Sequence, residues 1–353
     1  MHVIVELWSN RPHLQQLLTG LSCLVRAGHI SLEQRFIRPL ETNYDEGGLH
    51  LKDVSLAHCR LRLEDGRKLY FDLHDGHEIC KNALAWADVY YKRGFLSSAH
   101  ESLPKVQAYG LNYLVYSDHL DALLFRRQMY FERNDWKRHL AGRIGLDRML
   151  PARYILPRIF QCEQVPQAPT SYSSILFQTR LWNPADAPND QKAAEWKEIN
   201  QFRMDCVKAL KDAYAKAFMG GIAPSAFARR ICPMELLCDS DACKKVGYFE
   251  LLKQASIGIS TEGLHHSNGW KLAEYIAFSK PIVAELPRHS IPHGFDVGSN
   301  FLGFSSVGEL LKSVSILIEN PSSADEMARA NWSYYQNYLQ PEVKLKRLLS
   351  LDI

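Results

Sequence analysis

The side chains best suited to chemistry in this sequence crowd into one run of its second half, Ile257 to Val283, which reads IGISTEGLHHSNGWKLAEYIAFSKPIV. An apolar strand ends in Ser260 and Thr261, a polar loop follows, and a helix begins near Asn268 and Gly269. A helix start at the end of a parallel strand aims unpaired backbone N–H groups and the positive end of the helix dipole into the crevice beyond the sheet. A phosphate fits there. Ser267 and Asn268 can add side-chain hydrogen bonds, Lys271 adds charge, and Glu274, one turn further in, can accept both hydroxyls of a ribose. His265 is the candidate for proton transfer or for contact with a leaving phosphate, because imidazole titrates near working pH, and His266 is the second choice. The bland alternative is that any strand–loop–helix unit has this order and that Glu274 is a solvated helix residue. Two adjacent histidines at the mouth of a parallel sheet favour chemistry over that alternative.

The elements that must position these residues can be read along the chain. His2 to Trp8 is a short apolar strand; Ser9-Asn10-Arg11-Pro12 supplies turn and capping chemistry; Leu14, Leu17, Leu18, Leu21 and Leu24 follow at helical spacing. Ser31 to Arg38 reads as a second strand, and His58 to Leu63 with Lys68 to Leu73 as a hairpin around Asp65-Gly66. The alternation in Cys59-Arg60-Leu61-Arg62-Leu63 predicts one solvated face. Further strand-like pieces are 87–93 and 110–116, and residues 119–132 and 135–150 read as helices. In the second half, Tyr172 to Trp182 is a strand and Gln191 to Phe218 one long helix, stopped by Gly220-Gly221. Helical and strand-like segments then alternate up to Glu319, the pattern of a parallel sheet with crossover helices. The tail after Ser322 is helical with a break at Pro341. The expected architecture is α/β with two Rossmann-like domains, residues 1–165 and 166–322, and C-terminal helices, 323–353, that return to the first domain.

A loop, Gly269, a helix carrying Glu274, and then Ser279-Lys280-Pro281-Ile282-Val283 resembles the donor-binding signature of GT-B glycosyltransferases. The resemblance implies that the second domain holds a nucleotide sugar and that the C-terminal helix crosses back to the first. More narrowly, Ala228-Arg-Arg-Ile-Cys-Pro-Met-Glu-Leu236 followed by the Gly-Leu-His-His-Ser-Asn-Gly-Trp-Lys run is similar to the retaining β-Kdo transferases of bacterial O-antigen (lipopolysaccharide) assembly. Those enzymes use CMP-β-Kdo and an Asp nucleophile in the second domain. By this resemblance the nucleophile position falls on Cys232, where a thiol stands in place of the carboxylate. A thiolate attacks an anomeric carbon well, but its thioglycoside leaves poorly, so an adduct would accumulate. Without the resemblance, Cys232 reads as a small buried hydrophobe. Arg229 and Arg230 suit the carboxylate of Kdo, or are ordinary surface charges.

The acceptor, a glycan either free or lipid-linked, is expected from the first domain, where Asn10, Arg11 and His13 end the first strand. The leading expectation is therefore transfer of Kdo from CMP-β-Kdo to a bacterial surface glycan. Its rivals are a UDP- or GDP-sugar enzyme and a non-catalytic nucleotide- or glycan-binding module. A diphosphate donor calls for a second cation near the helix start, where only Lys271 is obvious in the sequence.

Composition bounds these readings. With 353 residues, 46% hydrophobic and 23% charged, the chain is an ordinary globular protein of two domains. A net charge of +3 without a basic stripe gives no case for nucleic acid as the main partner. The start MHVIVELW lacks signal-peptide features and no apolar run nears the ~20 residues of a membrane span. A cytoplasmic protein is expected, peripheral at the inner membrane if its acceptor is lipid-linked, and it would suit one module of a larger synthase. No metal is expected: the eight cysteines form no CxxC pair, and Cys232, Cys238 and Cys243 lack zinc-ligand spacing. Asp239-Ser240-Asp241 spells the DxD metal motif of another glycosyltransferase fold, but here helix capping is the simpler reading.

Overall fold

A computed structural model of the chain describes residues 1–8, 12–37, 57–117, 157–167 and 172–351. The helices expected at 119–132 and 135–150, and the candidate residues Asn10 and Arg11, lie outside the described residues. The first sheet contains β1 (His2–Leu7), β2 (Ser31–Phe36), β3 (His58–Leu63), β4 (Lys68–Asp72), β5 (Val89–Lys92) and β6 (Val106–Ala108). Its order is β2-β1-β3-β4-β5-β6, and β3 runs antiparallel to both neighbours, with Leu61 opposite Val5 on one side and Leu69 on the other. Helix α1 (Gln15–Arg26) links β1 to β2, and its leucines at positions 17, 18, 21 and 24 are buried against the sheet. Short helices α2 (Lys81–Trp86) and α3 (Ser97–His100) lie between the later strands. The hairpin turns as its Asp65-Gly66 pair demands, with Gly66 at φ 90° and Asp65 accepting the Arg67 N–H at 3.0 Å.

The expected solvated face of β3 is largely covered, with only Arg62 partly exposed. His58 and Arg60 are buried because Tyr70, Glu6 and Trp86 lie against them. Arg60 pairs with Glu6 at 2.9 Å and lies 4.8 Å over the Trp86 ring. At the carboxyl end of β4, fully buried Asp72 takes a hydrogen bond from Tyr90 at 2.5 Å and ion pairs from Lys92 at 2.8 Å and His58 at 2.9 Å. Both carboxylate oxygens are thus satisfied, which is the condition for burying the charge.

The second sheet is wholly parallel: β7 (Ile175–Thr179), β8 (Phe218–Ile222), β9 (Ile257–Ser260), β10 (Ile282–Glu285) and β11 (Leu302–Phe304), in the order β11-β10-β9-β7-β8. Its helices are α4 (Asp190–Tyr214), the single turn α5 (Ala228–Ile231), α6 (Lys245–Gln254), α7 (Trp270–Ala277) and α8 (Val307–Glu319). Asn189 caps α4 by accepting the Lys192 N–H at 2.8 Å. Gly220 and Gly221 were expected to stop a helix; they lie inside β8 instead. Both have positive φ, and a Cβ on Gly220 would meet the Phe177 carbonyl at 2.5 Å, so β8 reaches its place beside β7 only through glycine.

The tail forms α9 (Pro321–Tyr334), a π turn and α10 (Pro341–Leu348), with the break at Pro341 as expected. Helix α9 packs on α7, and its buried Asn331 donates to the backbone of Lys280 and Asn300. Helix α10 then crosses to α1 of the first domain. Lys344 enters that contact, donating to the Leu111 carbonyl at 2.6 Å and to Gln16 at 3.3 Å. Two doubly wound α/β domains with a terminal helix crossing back make a GT-B-like fold, modified by the antiparallel β3.

The α1–α10 contact hinges on Gly20. A Cβ there would fall on the Pro341 carbonyl oxygen and within 2.7 Å of Leu345. In an isolated helix Gly→Ala stabilises by about 1 kcal/mol. Here the sign is expected to reverse: Gly20→Ala destabilises by about 1–3 kcal/mol through overpacking, read as a lower urea midpoint. A higher midpoint contradicts the close packing.

Candidate functional site

In the second sheet the strand order reverses between β7 and β9, and such a reversal opens a crevice at the carboxyl ends. The loop 261–269 and the start of α7 fill its rim. Arg203, buried on α4, holds the loop from beneath: it donates to Thr261 Oγ1 at 3.2 Å, to the Glu262 carbonyl at 2.6 Å and to the Arg180 carbonyl at 2.7 Å. Burial lowers its pKa to about 10. His265 and His266 both adopt left-handed backbone conformations, φ 60° and 55°. For non-glycine residues this costs about 1–3 kcal/mol each. The turn is held by Glu195, which accepts the His265 N–H at 3.0 Å, and by Glu262, whose Oε2 lies 2.9 Å from His266 Nδ1.

Glu262 anchors a small carboxylate cluster. Its Oε1 accepts the Arg288 N–H at 3.2 Å, and its own N–H donates to Glu285 at 2.8 Å. Burial, reinforced by the charge of Glu285, raises its pKa to about 7. Arg288 reaches His266 Nε2 at 3.3 Å, so that imidazole bridges a carboxylate and a guanidinium.

Gly269 stands at the N-cap of α7 and offers no side chain to the first-turn N–H groups. Lys271 follows, 3.6 Å above the Tyr248 ring, with burial lowering its pKa to about 8. Glu274 is buried and ion-paired with Lys245 of α6. Ser260, Thr261 and Ser267 are buried in the rim, and Asn268 donates to the His289 carbonyl at 3.1 Å.

The first domain presents its own strand ends to this loop. The His13 ring lies 5.2 Å from that of Trp270, and its Nε2 3.8 Å from Asp75. The His74 and His265 rings are 5.6 Å apart. Buried Arg93 pairs with Asp75 and donates to the Asn268 carbonyl at 3.0 Å, so one guanidinium ties the two domains at the crevice. His265, its pKa lowered first by burial and then by Lys192, stands neutral between them.

The other sequence candidates follow the carboxyl end of β8. Arg229 and Arg230 are exposed on α5. Cys232 is 6% exposed, in an apolar cluster with Phe177, Val207, Leu210 and Leu236, and burial pushes its thiol up. The DxD residues brace a turn, Asp239 accepting the Asp241 N–H at 3.2 Å, and do not cap α6. Sequence reasoning passed over Glu195, Arg203, Lys245 and Glu262. Only Glu262 stood inside the conspicuous run; the others sit on elements distant in sequence. Among the described residues, no helix is long and apolar enough to cross a membrane.

No protein-family model matches the chain, and no curated protein does. Several solved structures share its general course. A UDP-GlcNAc 2-epimerase from Neisseria meningitidis bound to UDP-GlcNAc is similar over 77% of this chain and 64% of its own, at 11% identity and a TM-score of 0.37. The chain thus spans less than two thirds of that enzyme. Anabaena HepE in complex with UDP is similar over 98% of this chain and 91% of its own, at 14% identity and a TM-score of 0.35. Sucrose-phosphate synthase from Thermosynechococcus elongatus covers 94% and 91%, at 10% identity and a TM-score of 0.34. Likeness this loose carries no chemistry across, so the site must be read from its own residues.

The raised pKa of Glu262 has a definite consequence for stability. Unfolded, a glutamate titrates at about 4.3; folded, this one titrates at about 7. The folded state therefore holds the extra proton between these values, and the contribution of Glu262 to stability falls as pH rises through that window. Glu262→Gln is expected to gain on the wild type from pH 5 to pH 8, measured as the difference in urea midpoints. A difference that stays constant with pH contradicts the raised pKa.

Proposed function

We propose that this protein is a nucleotide-sugar-dependent glycosyltransferase, with the donor in the crevice at the carboxyl ends of β7 and β9 and the acceptor entering from the first domain. The supporting observation is the convergence at that crevice of an uncapped helix start and a desolvated lysine with the His13, His74, Asp75 and Arg93 cluster opposite. Transfer breaks the bond between the anomeric carbon and a phosphate oxygen, and the acceptor hydroxyl gives up a proton. Negative charge grows on the departing phosphate, where the first-turn N–H groups of α7 and Lys271 stabilise it. Lys271 is partly withdrawn from water, so an arriving phosphate favours its charged form. His265, neutral through burial, takes the role of proton acceptor.

The narrower proposal, which the sequence resemblance supports, is CMP-β-Kdo as donor and a bacterial surface glycan as acceptor. Arg229 and Arg230 would take the carboxylate of Kdo and Cys232 the nucleophile's position, giving retention through a covalent intermediate. One observation favours a second reading, a UDP- or GDP-sugar donor. Lys245, drawn to the α7 face by Glu274, supplies beside Lys271 the second cation that a diphosphate calls for.

Calorimetric titration with CMP, UDP and GDP tests the site and separates the donors. At least one nucleotide is expected to bind, and Lys271→Ala to weaken it about tenfold, roughly the 1–2 kcal/mol of one charge-assisted hydrogen bond. His265→Asn is expected to leave nucleotide affinity within about twofold while lowering kcat by about 10²–10⁴. Intact-mass spectrometry with CMP-β-Kdo decides the narrower proposal: an adduct on Cys232, with transfer activity in Cys232→Asp, supports it. Preferential binding of UDP or GDP and an unmodified Cys232 refute it. No nucleotide binding at all refutes the glycosyltransferase reading.

A further inference from the structure

Beyond the donor site, the crevice wall holds a feature the function does not use. Cys238 and Cys243, five positions apart and in no redox motif, have their Sγ atoms 2.8 Å from one another. We propose that this pair is a thiol-modification site, closed into an intramolecular disulfide by a two-electron oxidant of the peroxide class.

Each half of the pair is fixed by backbone. The Cys238 N–H donates to the Ile222 carbonyl at 3.0 Å, prolonging a parallel bridge between Ile222 and Leu237. That approach needs Gly221, at φ 127°, whose Cβ would meet the Leu236 carbonyl at 2.7 Å. From Cys238 the chain turns back through the DxD residues: Asp239 accepts from the Asp241 N–H, Lys244 N–H donates to the Asp241 carbonyl at 3.1 Å, and the Lys244 side chain pairs with Asp241. The turn returns Cys243 to Cys238. From β7, the amide of Gln178 holds the Ala242 carbonyl at 2.9 Å and lies 3.6 Å from Cys243 Sγ and 3.9 Å from Cys238 Sγ. Closing a disulfide of ~2.0 Å therefore takes less than an ångström of sulfur movement.

Reactivity also singles out this pair. Of the eight cysteines, Cys243 is the one that is not buried. Burial pushes up the thiols of Cys59, Cys206 and Cys232, whereas the hydrogen bond from Cys243 lowers that of Cys238, with Gln178 and Lys271 acting in the same direction. The Cys238 thiolate attacks a peroxide oxygen; the S–O bond forms, the O–O bond breaks, and the departing hydroxide takes up a proton as water. The Cys243 sulfur then attacks the sulfenic acid; the S–S bond forms and a second water leaves with the thiol proton. In sum, two thiols and one hydrogen peroxide give one disulfide and two waters. The site stands independently of the donor reading, since it needs no nucleotide.

The full chain, reduced and desalted, is exposed to hydrogen peroxide at pH 7.4, alkylated after denaturation and digested with trypsin without reductant. The segment from Ile231 to Lys244 carries Cys232, Cys238 and Cys243. It is expected to lose two hydrogens and to take one alkyl group, on Cys232, with dithiothreitol restoring three. Cys232→Ala is expected to keep the cross-link, and Cys243→Ser to leave a sulfenic acid on Cys238 that dimedone traps. Three alkylated cysteines after peroxide, a cross-link through Cys232, or irreversible sulfinic acid as the main product each overturn the proposal. Because wild type alone gives the decisive mass, poor folding of a variant does not blunt the test.

Discussion

The approach of the last helix to the first, at Gly20, is the contact on which the working geometry depends. Helix α10 lies so close to α1 that no side chain fits between them at that position. Lys344 is drawn fully inside, its amine pushed well down by burial, and there it satisfies the Leu111 carbonyl and Gln16. One turn back, Gln16 reaches the Leu339 carbonyl at 3.0 Å, while Asn331 on α9 fastens the other end to the second domain. The tail is thus a strap bonded at both ends by buried polar groups. Such groups are costly unless fully paired, which favours one arrangement over sliding alternatives.

What the strap brings together is a crevice rich in desolvated cations. Arg93 and Arg203 are buried with pKa values lowered to about 10, and Lys271 lies lower still. Several of their N–H groups end on backbone carbonyls, those of Asn268, Glu262 and Arg180. Carbonyls satisfy these donors without cancelling their charge, whereas Asp75 offsets that of Arg93 directly. The strained His265–His266 turn sits in this field, braced by Glu195 and Glu262. Strain and buried charge in one place, over-determined by neighbours, mark the position where the fold gives up stability for function.

Much of this was legible in the sequence. The opening strand and helix, the Asp65-Gly66 hairpin, the run from Ser260 to Glu274 and the break at Pro341 are local patterns, and local patterns fix local structure. The main departures are long-range. Arg60 alternates as a solvated residue would, yet β3 is central and Glu6 with Trp86 covers it. Gly220-Gly221 has the composition of a helix stop, but its use is to let β8 approach Phe177 and Leu236. Arg203 looks like the polar edge of an amphipathic helix until the 261–262 loop is laid across it. Cys238 and Cys243 have no recognisable spacing because a turn, not a motif, joins them. Spacing along the chain cannot report a partner supplied by another element.

The most direct test of the central claim is a crystal structure with the best-binding nucleotide. The account requires phosphate oxygens within about 3 Å of the first-turn N–H groups of α7, the hydrogen-bond range, with Lys271 drawn to them and the ribose toward Glu274. A nucleotide bound at the strand ends of the first sheet instead, with the start of α7 facing only solvent, would contradict it.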